Sequence, residues 1–284
     1  MVEIKKAAVI GAGTMGNGIA QVLAQAGIEV KMADIDNKYL ERGFGSIKKS
    51  LGIMAEKGKM TQEEADKVLS RIKGTVDLKE AASDADVVIE AVNEDLDLKQ
   101  DTFRKLDEIC PKHTVLATNT STISITAIAS VTKRPEMVVG MHFAHPVPIQ
   151  VGVVINRGLV TSEETMDIAK KLAEAIGKES MVNRDSPGFA GNRLLPLFIN
   201  EAFNVVWEGI ATPEDVDKDV KLSFRHPMGP FELADFIGLD QLLKGQEYMY
   251  KEWGEKYRPS PLLKQYVAAG YYGRKTGRGV YKYT

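Results

Sequence analysis

Cysteine is nearly absent. Cys110 is the only one in 284 residues, which excludes an internal disulfide and any cysteine-rich zinc site. Histidine is sparse as well, at four residues. No cluster of metal-ligating residues has zinc spacing, so no metal is expected. Neither charge sign dominates: 37 Lys and Arg against 39 Asp and Glu leave a net charge of −2. No broad basic field is available to gather nucleic acid, and no basic amphipathic segment suits a membrane surface. The apolar runs fall far short of the ~20 residues a membrane helix needs. Internal repeats and low-complexity tracts are also missing. The opening Met-Val-Glu-Ile-Lys-Lys does not resemble a signal peptide. These absences together predict a cytoplasmic protein with no nucleic-acid or membrane partner.

What remains is an ordinary globular composition, 44% hydrophobic, in a chain long enough for one large or two ordinary domains. Ile4–Ile10 predicts a strand, Met15–Ala26 an amphipathic helix and Glu29–Ala33 a second strand. Asn37–Met60 and Gln62–Lys73 have helical patterns and form an excursion too long for a simple crossover. Asp86–Val92 is apolar almost throughout, as in a strand buried on both faces. Leu96–Ile109 predicts a helix. Val115–Thr118, Val138–Phe143 and Val151–Ile155 predict strands, and Glu163–Ile176 another helix. Such alternation indicates an α/β fold, a Rossmann-like, mostly parallel sheet. The pattern changes near Asn183–Gly188. From Phe189 to Ala269 it is helical, including an apolar-striped helix at Asn192–Glu208 that Pro196 could kink. The expected division is therefore 1–185, a Rossmann domain, and 186–284, an all-α domain. The apolar stripes of the second exceed the needs of one small bundle, which points to a homodimer.

Gly11-Ala12-Gly13-Thr14-Met15-Gly16 fits G-x-G-x-x-G, with a strand before it, a helix after it, and a second strand ending at Asp34, 18 residues past Gly16. Gly11 suits the tight turn, Gly13 a close backbone approach to a pyrophosphate, and Gly16 helix–sheet packing. The helix N-terminus, beginning around Thr14 and Met15, offers free N–H groups to phosphates. Asp34 would accept from the adenosine ribose hydroxyls and repel a 2′-phosphate, favouring NAD over NADP; Asp36 lies close enough to compete for that role.

Thr118-Asn119-Thr120-Ser121 and Met141-His142-Phe143 each end a predicted strand. Ligands of open α/β sheets bind beyond the carboxyl ends of the strands. A histidine there can take a hydroxyl proton while hydride leaves carbon, and a serine can bond the same oxygen. A satisfied structural histidine gives the same pattern. His113, in a loop, and His226, in the turn at His226-Pro227-Met228-Gly229-Pro230 that starts a helix, suit solvated and structural roles. The basic, aromatic stretch Tyr271–Lys275 suits packing better than nucleic acid.

Seven segments in order, VIGAGTMGNGIAQ (9–21), DADVVIEAV (84–92), LATNTSTISIT (116–126), KRPEMVVGMHF (133–143), SPGFAGNR (186–193), HPMGPFELADFIGLD (226–240) and GRKTGRGVYKY (273–283), carry an end-to-end resemblance. The chain resembles the L-3-hydroxyacyl-CoA dehydrogenase family, and within it the short bacterial 3-hydroxybutyryl-CoA branch. The resemblance implies an NAD-dependent oxidoreductase, homodimeric through its helical domain. It also implies roles for single residues. His142 would be the general base, with Ser121 and Asn192 bonding the reacting oxygen or thioester carbonyl. Glu94, Lys99, Ser121 and Lys275 would contact NAD. The chain departs from the family pattern after His142. The glutamate twelve residues on falls on Val154, the cofactor-contacting asparagine on His145, and the usual phenylalanine on Ala144. In the insert that binds CoA, two lysine positions read Ile53 and Glu56, while Lys57 and Lys59 remain. These departures leave two alternatives beside a 3-hydroxyacyl-CoA dehydrogenase: an NAD-dependent dehydrogenase of another, non-CoA 3-hydroxy acid, and an NAD-binding protein with little turnover.

Overall fold

The computed structural model describes residues 4–283, so the first three residues, part of the segment compared with signal peptides, lie outside it. The chain forms two compact units, Met1–Ser186 and Pro187–Thr284.

The first unit runs β1 (Lys6–Ile10), α1 (Thr14–Gln25), β2 (Glu29–Ala33), α2 (Asn37–Glu56), α3 (Gln62–Ser70), β3 (Ile72–Thr75), α4 (Leu78–Ala82), β4 (Val87–Glu90), α5 (Leu96–Ile109), β5 (Val115–Thr118), α6 (Ile125–Ala129), β6 (Val138–Phe143), β7 (Gly152–Arg157), α7 (Glu163–Ala175) and β8 (Glu179–Arg184). The strands form one sheet in the order β3-β2-β1-β4-β5-β6-β7-β8. Every pairing is parallel except β6 with β7. That exception follows from chain length: residues 144–151 cannot make the crossover that a parallel pair requires. The chain leaves β1 toward β2 and β3, then returns to place β4 on the other side of β1. The carboxyl ends of β1 and β4 therefore flank a topological switch point.

Two expectations are corrected here. The helix expected over Gln62–Lys73 stops at Ser70, because Ile72–Thr75 pairs with β2 as a strand. β8 was not anticipated at all. It is an edge strand exposed along nearly its whole length, so it carries neither an apolar run nor an alternation. The core packs Val9, Met32, Ile89, Met141, Phe143, Val153 and Ile155 of the sheet with Ile19, Leu23, Ile47 and Leu172 of the helices.

The second unit is helical: α8 (Gly191–Trp207, with Pro196 inside it), α9 (Pro213–Ser223), α10 (Pro230–Ile237), α11 (Leu239–Trp253) and α12 (Pro261–Ala268). α10 begins at Pro230, so His226 precedes it by a turn rather than opening it. Phe203 and Phe231 meet edge to face at 4.9 Å in the core. Two buried carboxylates hold the C-terminal tail. Asp217 accepts from the Tyr281 hydroxyl at 2.8 Å. Asp235 accepts from the Val280 and Tyr281 amides and the Tyr283 hydroxyl. In the stretch Tyr271–Lys275, Tyr271 packs against Tyr266 and beneath the Arg278 guanidinium. Among the described residues no helix is long and apolar enough to cross a membrane.

Candidate active site

The β1–α1 turn is shaped by steric demands. Gly11 has φ of 103°, and a Cβ there would come within 2.6 Å of the Ala91 carbonyl oxygen beyond β4. At Gly16 a Cβ would lie 1.7 Å from the Gly11 carbonyl oxygen. Gly13 differs: a Cβ added to it meets nothing within 4 Å. It is the N-cap of α1, and no side chain caps that helix. The N–H groups of the first turn, Thr14 and Met15 among them, are therefore left to a ligand that approaches on the open side of Gly13. Asp34 follows β2 and braces the turn, its Oδ2 accepting from the Ala12 amide and its Oδ1 from the Ile35 amide, both at 2.7 Å. Asp36 accepts from the Lys38 amide as the N-cap of α2, a separate use for that carboxylate.

Beneath the ends of β4 and β5 lies a charged network. Glu90 and Lys99, 0% and 1% exposed, pair at 2.7 Å. Glu90 also accepts from the Val92 amide and the Thr118 hydroxyl, each at 2.7 Å. The Lys99 ammonium stands 3.4 Å from Glu94 Oε2, so Lys99 faces its two carboxylates rather than open space. Glu94 Oε1 accepts from the Thr120 hydroxyl at 2.6 Å and from the amides and hydroxyls of Ser121 and Thr122. Burial pushes the Glu94 carboxyl upward, but Lys99 and these donors together hold it below the usual range.

His142 is the next-to-last residue of β6 and half-buried. Asn119 Oδ1 accepts from the Phe143 amide at 2.9 Å, tying the segment after β5 to the end of β6. Among the described residues the His142 ring makes no hydrogen bond. Burial lowers its pKa below the ordinary histidine value, and the Glu94 carboxylate opposes this without cancelling it. Burial thus favours the neutral ring, the form that can accept a proton. Directly across the ladder stands Val154, which can neither donate nor accept. His145 is exposed in the β6–β7 connection.

The sheet thus brings the glycine turn, Asp34, Glu94, Lys99, Ser121, His142 and His145 to its carboxyl-terminal edge. Two expected site residues lie in the helical unit: Asn192 in the first turn of α8, and Lys275, whose ammonium lies 2.6 Å from Asp240. Ile53, Glu56, Lys57 and Lys59 are exposed at the end of α2. No group of acidic, histidine and cysteine residues able to hold a metal occurs among the described residues.

The chain matches the model of the 3-hydroxyacyl-CoA dehydrogenase NAD binding domain over residues 6–186, and that of the 3-hydroxyacyl-CoA dehydrogenase C-terminal domain over 188–283. It belongs to the 3-hydroxyacyl-CoA dehydrogenase family. A probable 3-hydroxybutyryl-CoA dehydrogenase of Bacillus subtilis is 50% identical over 99% of this chain and 98% of its own. The crystal structure of the (S)-3-hydroxybutyryl-CoA dehydrogenase of Ralstonia eutropha superposes with a TM-score of 0.95 at 44% identity, covering 99% of this chain and 100% of that one. A diketoreductase structure, described as acting on dicarbonyl compounds, has a TM-score of 0.88 at 31% identity with both chains fully covered.

Some polar residues of this family member escaped the sequence reading. Glu90 carried a visible signal, a lone carboxylate inside the apolar run Val87–Val92, which needs a buried cation as partner. Asn119 gave none, because its role depends on the β5–β6 pairing. Asn156, a single amide in an apolar strand, was equally readable and equally missed.

Proposed function

We propose that this chain transfers hydride between NAD and the carbinol carbon of a 3-hydroxyacyl-CoA, with 3-hydroxybutyryl-CoA as the first substrate to test. One observation carries the reading: Ser121 just after β5 and His142 at the end of the adjacent β6 stand on the same sheet edge as an uncapped glycine turn, in a chain half identical to a named relative of that activity. The turn fits the cofactor by the open side of Gly13. Gly11, Gly13, Thr14, Met15 and Gly16 would hold the pyrophosphate and Asp34 the ribose hydroxyls, whose carboxylate favours NAD over NADP. Bound there, NAD supplies the hydride acceptor in one direction and the donor in the other. His142 takes the hydroxyl proton as the carbinol becomes a carbonyl and returns it in reverse. Ser121 donates to the same oxygen. Glu94 favours the charged imidazole and is itself held by Lys99. Asn192, for the substrate oxygen or thioester carbonyl, and His145 and Lys275, for the cofactor, enter on the family pattern alone.

Purified protein given NADH and acetoacetyl-CoA should consume NADH. A second reading, a non-CoA 3-hydroxy acid or related dicarbonyl, draws on the Val154 position and on the diketoreductase likeness. Turnover of free acetoacetate without turnover of the thioester would select it. NAD binding with neither turnover would overturn both.

A homodimer is part of the proposal. Leu194, Ile210, Leu222, Phe224 and Phe236 of the helical unit are each at least 60% exposed, large apolar side chains that a dimer interface would cover. Light scattering at the monomer mass would exclude it. A reducing, cytoplasmic setting suits the single buried Cys110, whose thiol burial pushes up to about 12.

A further inference from the structure

Asn156 lies on β7, fully buried, and neither Oδ1 nor Nδ2 of its amide has a hydrogen-bond partner among the described residues. Buried polar groups are nearly always paired, and an exception calls for a reason. The ladder supplies one. Gly140 faces Asn156 and His142 faces Val154 across β6 and β7. Side chains alternate along a strand, so Gly140, His142, Val154 and Asn156 share one face of the sheet. A Cβ at Gly140 would in fact lie 2.8 Å from the Asn156 Cβ. Asn156 is therefore the diagonal neighbour of His142. Such pairs stand roughly 7–8 Å apart at Cα, within reach of an imidazole and an amide joined through one water. Gly140 contributes no side chain and Val154 a short apolar one, while Ile125 of α6 packs over Gly140, its Cδ1 2.7 Å from where a Cβ would stand, so a bridging water would lie on the Val154 side of the pair. The other polar neighbour of Asn156 is Asn183, its partner across β7 and β8.

We propose that Asn156 is the positioning residue for His142. Its amide oxygen accepts, through one water, the imidazole N–H that points away from the substrate. This holds the ring in one tautomer and one orientation, and it favours the imidazolium that forms when the proton arrives. An amide does this more weakly than a carboxylate because it carries no charge. The inference rests on the reading of His142 as the proton acceptor. On the face that the ring shares, Val154 and Asn156 of β7, Met181 of β8, Thr118 at the end of β5 and Ile125 of α6 do not titrate. Glu94, backed by Lys99, is the charge that acts on the ring.

The test is an NMR titration of the His142 ring in the NAD-free protein, which needs no substrate, alongside pH–rate profiles. Asn156→Leu should lower the His142 pKa by roughly half a pH unit and kcat by about tenfold, with KM for NAD unchanged and the thermal midpoint equal or higher. Val154→Glu in that background should raise the pKa again and restore kcat. An unmoved His142 titration in a folded Asn156→Leu protein overturns the inference. So does a kcat loss that comes with an unmoved titration and is not restored by Val154→Glu, since it assigns Asn156 to packing with Asn183. Wild-type turnover in His142→Gln overturns instead the reading beneath it.

Discussion

Glu94 and His142 sit on neighbouring parts of one sheet edge, and their surroundings are opposite. Five donors converge on one oxygen of Glu94, and Lys99 stands behind the other. The His142 ring makes no hydrogen bond among the described residues, and its cross-strand neighbour is a valine. The glycine turn resembles Glu94 in this respect, since Asp34 already braces it. The glycine turn and Glu94 are thus fixed by direct hydrogen bonds within the chain, while the His142 ring has none. A binding surface fixed by direct hydrogen bonds, beside a base held only through the bridged contact to Asn156, separates affinity from turnover, so substitutions in the two regions should read out in different constants.

The largest effect is expected at the loosely held end. His142→Gln should lower kcat by about 10²–10⁴-fold and leave the NAD dissociation constant, measured by calorimetry, within about twofold. A parallel loss of NAD affinity would break the comparison. Gly13→Ala should do the reverse. It places a methyl group in open space, so folding is untouched, yet NAD binding should weaken at least tenfold, about 1.4 kcal/mol; an unchanged affinity would remove Gly13 from the cofactor surface. Asp34→Ala should come next, with the ratio of kcat/KM for NAD over NADP falling about tenfold as the carboxylate that rejects a 2′-phosphate is lost. Glu94→Gln should have the smallest effect. Because burial already lowers the His142 pKa and the Glu94 anion opposes that, the acid limb of kcat/KM for oxidation should lie below the usual 6.5. Removing the anion should move the limb lower still, and an upward movement would contradict the field assigned to Glu94.

Much of this was legible in the sequence, for identifiable reasons. Val115–Thr118 and Val138–Phe143 are apolar because helices or loops cover both faces, and their ends were readable to the residue. The glycine turn was readable because much of its constraint is local: Gly11 has a positive φ and Gly16 lies against the Gly11 carbonyl, whereas the approach of Ala91 to Gly11 depends on strand pairing. β8 was not readable, since an exposed edge strand has no apolar pattern to give it away. β3 was masked by Lys73 and Gly74, which no strand preference favours. The role of Asn119 and the register that sets Asn156 beside His142 come from strand pairing, and pairing is not written in any single segment.

The buried Glu90–Lys99 pair has a consequence for how such a site can change over time. Each partner alone is nearly unexposed, so replacing one strands a charge in the core at about 3–5 kcal/mol. Replacing both with apolar residues of similar volume can be close to neutral. Single steps are therefore blocked while the double step is open, and the pair works as a ratchet on sequence drift. Lys99 also faces Glu94 at 3.4 Å, so the double step would unfasten that carboxylate as well, whereas Val154 on the strand that faces His142 carries no such coupling.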